Sequence, residues 1–157
     1  TDRAGARGWR LFLEPFHRNL TSRVIKTPKI YWLDLGLLRQ GTGQWSSITG
    51  AMFETLDISE VHKWFSSRLD NISLSFYRTR SGLEVDLMIQ KADKVTGLEI
   101  KNREAISRID SKNLIKVADA LQDEWAGGIV LYRGRKIELI NPRYDIWAIP
   151  VHRLLCS

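Results

Sequence analysis

The chain has 157 residues, 43% of them hydrophobic and 27% charged, with a net charge of +6 and a single cysteine, Cys156. A chain of this length forms one domain able to bury its own core, its lone cysteine rules out an internal disulfide, and no apolar run approaches the roughly 20 residues of a membrane-spanning helix. The opening Thr1-Asp2-Arg3-Ala4-Gly5-Ala6-Arg7-Gly8 lacks the apolar centre of a signal peptide, so a cytoplasmic protein without membrane attachment is expected, and the absence of an initiator methionine leads us to expect a fragment.

The charge is unevenly spread. Residues 1–40 carry eight Lys and Arg against three acids, residues 41–100 six against eight, and residues 101–157 ten against seven. An acidic middle between two basic segments suits a metal site approached by a polyanion, since basic surface attracts phosphates. The plainer reading is that six excess charges keep a small domain soluble.

In chain order, residues 1–13 are expected to be a flexible extension, Gly- and Arg-rich at its start. A short strand is expected across residues 9–16, stopped by Pro15. Residues 18–23 are a polar connection, and Pro28 introduces a second short strand or a strand-to-helix corner at residues 29–33. Asp34-Leu35-Gly36 reads as a tight turn, with Asp34 as a turn or cap residue. Residues 41–47 read as a loop, and not as a phosphate-binding one, because no Gly-x4-Gly-Lys-Ser/Thr occurs in the chain. Residues 50–69 give the longest helix, from the stripe Met52, Phe53, Leu56, Val61, Trp64, Phe65 and Leu69. Glu54 lies in its first turns, where the helix dipole alone favours a carboxylate. A strand at residues 72–79 leads through a turn at residues 77–82 into a hairpin. Beyond the hairpin come a polar segment at residues 102–110 and a helix at residues 111–124 with Leu114, Ile115, Ala118 and Leu121 on one face. Strands at residues 129–132, 136–140 and 144–149 and a terminal helical turn complete the chain. His17, His62 and His152 show no metal-ligand spacing.

The chemistry concentrates in residues 82–101. Apolar residues alternate at Val85, Leu87 and Ile89 and again at Leu98 and Ile100, with a charged turn at residues 91–94 between them, which predicts two paired strands. Alternation directs Asp86 away from Val85 and Leu87, and puts Glu99 and Lys101 on one face, their Cα atoms roughly 6.6 Å apart. Pairing of the two strands then brings Asp86, Glu99 and Lys101 together. A hard cation such as Mg²⁺ takes oxygen ligands, usually one or two carboxylates with water and phosphate oxygens. Asp86 and Glu99, with the backbone carbonyl of Ile100, meet that need, and Lys101 is placed to orient the attacking water or to stabilise charge developing on a phosphate. Arg78 and Arg80 in the preceding turn offer planar forks for a phosphate backbone, against a plain role as solvated turn charge. Lys112 and Lys116 form an i, i+4 basic ridge or simply the wet face of their helix.

Asp86, followed after twelve residues by Glu99-Ile100-Lys101, resembles the active-site signature of the PD-(D/E)XK nuclease superfamily, in which a helix ahead of the first strand often supplies another acid; Glu54 stands where that acid would fall. A narrower resemblance, to the domain of unknown function 4143, is carried by Pro28-Lys29-Ile30-Tyr31-Trp32-Leu33-Asp34-Leu35-Gly36-Leu37, Gly50 through Glu54, Phe76-Tyr77-Arg78, Gly82 through Asp86 and Leu98 through Lys101. It covers residues 14–154. Asn102 departs from the pattern, standing where a small hydroxyl residue is common in relatives.

The resemblance implies an α/β restriction-endonuclease-like sandwich, a central mixed sheet flanked by helices, over residues 14–157. It makes residues 13–45 the connection to an upstream ATPase module of the AAA type. It further implies Mg²⁺ or Mn²⁺ held by Asp86, Glu99, Ile100 and Glu54, catalysis by Asp86, Glu99, Lys101 and Glu54, and nucleic acid, DNA foremost, bound through Arg78, Arg80, Lys112 and Lys116. The alternative expectation is a non-catalytic module of the same fold that binds nucleic acid or protein on behalf of its ATPase.

Overall fold

A computed structural model describes residues 4–7, 10–17, 24–43, 48–67 and 71–155. The described residues form two sheets. The smaller is antiparallel, in the order β1 (Ala4–Arg7), β2 (Arg10–Leu13), β3 (Lys29–Trp32). Strands therefore occupy part of the 1–13 extension expected to be flexible, and the reason lies in β2, whose Leu11 and Leu13 are fully buried while Arg10 stays exposed. Helix α1 (Leu35–Thr42) follows β3 directly. It replaces the predicted turn at Asp34 and the start of the predicted loop, with Leu38 N–H donating to the Asp34 carbonyl at 3.1 Å. Two glycines, Gly36 and Gly41, lower the helix propensity of this stretch, which is why it read as turn and loop. The rest of the predicted loop, residues 44–47, lies outside the described residues.

The larger sheet has six strands in the order β4 (Ile72–Arg78), β5 (Glu84–Lys91), β6 (Lys94–Lys101), β7 (Trp125–Tyr132), β9 (Ile146–Pro150), β8 (Glu138–Asn141). Strands β4 to β6 form an antiparallel meander, β6, β7 and β9 run parallel, and β8 returns antiparallel to β9. The expected mixed central sheet is thus observed. The two helices longer than eight residues cover its two faces, giving an α/β sandwich. Helix α2 (Gly50–Ser67) packs Phe53, Ile58 and Val61 with Leu74, Phe76, Leu87 and Leu98. Helix α3 (Lys112–Leu121) packs Leu114, Val117 and Leu121 with Val85, Met88, Val95 and Val130 on the other side. A short helix, α4 (His152–Leu155), closes the described chain.

Strand β7 begins at Trp125, four residues earlier than predicted, because Gly127 and Gly128 lie within the strand and not in a turn before it. Gly97 of β6 is its counterpart and pairs with Gly128. A Cβ at Gly97 would stand 2.7 Å from Leu114 Cδ2 and 2.9 Å from the Trp125 ring, so the glycine lets α3 lie close on the sheet. Gly97→Val is expected to cost about 1–3 kcal/mol by overpacking, measured by urea denaturation, and to move Asn113 of α3 away from Glu99.

The small sheet is joined to the large one along β4. Phe16 N–H donates to the Phe76 carbonyl at 2.7 Å, Phe76 N–H to the Glu14 carbonyl at 3.1 Å, and Ile25 N–H to the Arg78 carbonyl at 2.8 Å. These bonds anchor to β4 the residues that follow β2 and precede β3. No helix among the described residues is long and apolar enough to cross a membrane.

Candidate active site

The β4–β5 pairing contains an irregularity that decides where Asp86 goes. Ser75 pairs with Met88 and Tyr77 with Val85, so Asp86 and Leu87 together oppose the single residue Phe76. An extra residue of this kind is a β-bulge, which bends the strand and re-aims side chains. Val85 and Met88 accordingly belong to the α3-side core while Leu87 belongs to the α2-side core. Strict alternation, which groups Val85 with Leu87 against Asp86, is corrected here by the bulge.

On the other side of β5, the pairing to β6 runs from Lys91↔Lys94 to Leu87↔Leu98. Beyond that point Asp86 Oδ2 accepts the Ile100 N–H at 2.8 Å, a carboxylate standing where a strand carbonyl would otherwise be. The aspartate is thus held in the fork between the two strands. Glu99, only 3% exposed, lies on the α3 side. Its Oε2 accepts from Lys101 Nζ at 2.8 Å and its Oε1 from Asn113 Nδ2 at 3.2 Å. Asn113 also donates to the Glu84 carbonyl at 2.9 Å, tying the first turn of α3 to the start of β5. Glu54 comes from α2 on the opposite side and accepts from Tyr31 Oη at 2.5 Å and Lys29 Nζ at 3.5 Å. Lys29 Nζ lies 2.5 Å from Glu84 Oε1, and Arg78 Nε is 3.5 Å from Glu84 Oε2.

The charges of Glu99 and Glu54 act on Asp86, and that of Glu84 acts on Glu99. Burial, then the charges of Glu99 and Glu54, push the Asp86 carboxyl up to about 7, against the opposing Ile100 N–H and Lys29. Burial also raises Glu99, with Lys101 and Asn113 pulling it back. Burial works against the Lys29 ammonium, yet its hydrogen bond to Glu84 and the charges of Glu54, Glu84 and Asp86 outweigh it and hold its pKa above the usual lysine value. Tyr31 is raised by burial and by Glu54, so it remains a hydrogen-bond donor. Desolvation with mutual repulsion is the condition that a bound cation relieves.

A model of the family described as a domain of unknown function, DUF4143, matches residues 49–154. The chain belongs to the DUF4143 family. Among curated proteins no relative matches. The DUF4143 match opens at Thr49, whose side-chain oxygen accepts the Met52 N–H at 3.2 Å at the start of α2. It includes Glu54, Glu84, Asp86, Glu99, Lys101 and Asn113, and leaves Lys29 and Tyr31 outside.

Among the described residues, no three His, Cys, Asp or Glu side chains form a group able to hold a metal ion. The fit to a divalent cation therefore rests on Asp86 and Glu99 with the Ile100 carbonyl. Their donors are all oxygen and include two carboxylates, which suffices for Mg²⁺ when water and phosphate supply the remainder. Glu54, as arranged, is engaged by Tyr31 and Lys29 instead.

Of the residues expected to contact nucleic acid, Arg78 reaches the cluster through Glu84, Arg80 is exposed in the turn after β4, and Lys112 and Lys116 are exposed on α3 on either side of Asn113. An apolar groove of about 440 Å³, lined by Trp64, Phe65, Leu98, Leu131 and Leu154 among others, lies on the α2 face and contains none of the carboxylates.

Sequence reasoning missed Lys29, Tyr31, Glu84 and Asn113. Glu84 carried a usable signal, an acid two residues before Asp86 on the same strand. The others did not, since their approach depends on how β3 and α3 pack.

Proposed function

We propose that this DUF4143 domain is a metal-dependent nuclease-like module of the PD-(D/E)XK type that hydrolyses phosphodiester bonds of nucleic acid, and that residues 13–45 connect it to an ATPase module. The observation that carries the reading is the placement of Asp86 in the β5–β6 fork beside Glu99, with Lys101 on Glu99. The order helix, three antiparallel strands, helix, parallel strand agrees with the resemblance noted from sequence. In this reading Asp86, Glu99 and the Ile100 carbonyl hold Mg²⁺ or Mn²⁺. When bound, the cation supplies the acidity that makes water nucleophilic near neutral pH and offsets phosphate charge. Asn113 orients Glu99, Lys101 stands beside the scissile phosphate as a fixed positive charge, and Arg78, Arg80, Lys112 and Lys116 attract the polyanion.

A second reading, a non-catalytic binding module, is favoured by a specific observation: Glu99, Glu54 and Glu84 are each paired with a lysine of the chain itself. The two separate in one experiment. Calorimetric titration with Mn²⁺ of the wild type and of Asp86→Ala is run beside cleavage of plasmid and single-stranded DNA. Binding and cleavage that are present in the wild type and fall at least about a hundredfold in the variant are the expected result. No binding and no cleavage by the wild type would leave the second reading.

A further inference from the structure

We propose that the turn Arg133-Gly134-Arg135-Lys136 after β7 is a phosphate clamp that holds a nucleic-acid backbone beside Asp86 and Glu99. The inference rests on the proposed function and names the surface by which that site receives its substrate. Its own observation is a charge polarity along the strands of the large sheet. At the end that carries the carboxylates, segments 79–83, 102–107 and 133–137 hold five cations, Arg80, Arg103, Arg133, Arg135 and Lys136, against one acid, Glu104. At the opposite end, segments 92–93, 122–124 and 142–145 hold four acids, Asp93, Asp123, Glu124 and Asp145, against Arg143 alone. Among the described residues, Arg80, Arg133, Arg135 and Lys136 form no ion pair.

The turn is built into the sheet beside the site. Strands β6 and β7 run parallel, and ligands of open α/β sheets bind outside the carboxyl ends of such strands. Lys101 pairs with Tyr132, so the turn opens one strand spacing, about 5 Å, from the backbone of Lys101. Arg133 N–H donates to the Arg103 carbonyl at 2.9 Å and Arg133 Nη1 to Asn102 Oδ1 at 3.4 Å, which holds backbone and guanidinium against the segment that follows Lys101. Tyr132 Oη donates to the Lys136 carbonyl at 2.6 Å and closes the turn over the tyrosine ring. Gly134 is buried there, and a Cβ at that position would fall on the Tyr132 ring and lie 2.8 Å from the Glu104 carbonyl. Arg133, Arg135 and Lys136 nevertheless stay exposed. Cations held in place lose less freedom on binding than cations on a mobile tail, and the planar fork of arginine matches phosphate geometry. Glu54, Glu84, Asp86 and Glu99 by themselves repel a polyanion, so flanking cations are what brings phosphate to them. In the order β4, β5, β6, β7 the carboxylates of the sheet stand between Arg80, after β4, and the turn, after β7. A backbone crossing this end meets the clamp on one side of the site and Arg80 on the other.

The test measures binding of a fluorescein-labelled DNA duplex by fluorescence anisotropy at several salt concentrations, with the whole chain and without divalent metal, so that neither metal loading nor cleavage enters the readout. The wild type is compared with Arg133→Gln/Arg135→Gln, Arg133→Lys/Arg135→Lys and Arg143→Gln. Arg143 sits over the Tyr144 ring, 5.1 Å from its centroid, at the opposite end of the sheet, so its substitution removes the same charge elsewhere. The glutamine variant is expected to bind at least about tenfold more weakly, with a slope of log affinity against log salt shallower by about 2. The lysine variant is expected to recover most of the affinity, and Arg143→Gln to match the wild type. An equal loss in the lysine variant would make the turn a matter of shape and overturn the clamp. Unchanged affinity in the glutamine variant would also overturn it, while Mn²⁺-dependent plasmid cleavage by the same protein would leave the nuclease reading standing. A wild type that neither binds the duplex nor cleaves plasmid would overturn both and turn these cations toward an acidic protein surface. If the glutamine variant does not fold, Arg135→Gln decides the matter alone, with a slope shallower by about 1, since the Arg135 side chain makes no hydrogen bond among the described residues.

Discussion

Asp86→Asn is expected to make the metal-free protein more stable than the wild type at pH 8, and to lose that advantage by pH 5. Burial and the charges of Glu99 and Glu54 push the Asp86 carboxyl up to about 7, whereas an unfolded aspartate titrates near 4. The folded state therefore binds the proton more tightly. Stability rises as pH falls from about 7 toward 4, and the penalty for ionised Asp86 is fully present above 7. A displacement of this size corresponds to roughly 4 kcal/mol, and an amide can still accept the Ile100 N–H that Asp86 Oδ2 now accepts. A gain of about 2 kcal/mol at pH 8 is expected once the lost attraction to Lys29 is counted. Thermal denaturation followed by circular dichroism from pH 5 to 8 reads it, and an advantage independent of pH would contradict it. Saturating Mn²⁺ is expected to invert the order, because a ligand that binds only the folded wild type stabilises that protein alone.

The sequence placed Asp86, Glu99 and Lys101 on neighbouring strands because strand periodicity and a short charged turn are local signals. The observed two-residue turn at Ala92 and Asp93 and the pairing of Leu87 with Leu98 follow that pattern. Helix α2 was legible for the same reason, through its apolar stripe. The manner in which the residues approach was not legible. The bulge opposite Phe76 depends on the pairing of β4 with β5, and without it Asp86 would not lie in the strand fork. Lys29 and Tyr31 read as part of a connecting strand, since nothing in Lys-Ile-Tyr-Trp tells that β3 docks on α2. Asn113 looked like one polar residue on a helix; the glycines at positions 97 and 128 let α3 come near enough for its amide to reach Glu99. Tertiary packing, not local propensity, assembled these contacts.

Asp57→Ala is expected to stabilise the protein by about 1–3 kcal/mol at pH 8, with the gain shrinking below pH 6. Asp57 is fully buried in α2, and neither carboxylate oxygen has a hydrogen-bond partner. Burial, and secondarily the charge of Glu60, push it up to about 7. The sign is that of Asp86: the folded state prefers the neutral acid, so ionisation above pH 7 costs stability that returns as pH falls toward 4. Alanine removes the unpaired carboxylate and is the best helix former, while the volume it vacates is small, so the cavity cost is slight. Asp57→Asn is expected to gain less, because it removes the charge but leaves a polar group unpaired. Urea denaturation at pH 5, 7 and 8 measures both, and destabilisation by Asp57→Ala at pH 8 would show that the carboxylate is compensated. Asp57 also lies three residues after Glu54, which makes the two neighbours on the helix surface. Mn²⁺ titration of Asp57→Ala is therefore expected to match the wild type, because its carboxylate is sealed in the protein interior while that of Glu54 meets Tyr31 and Lys29. A lost Mn²⁺ affinity would instead bring α2 into the site and move its centre toward the helix.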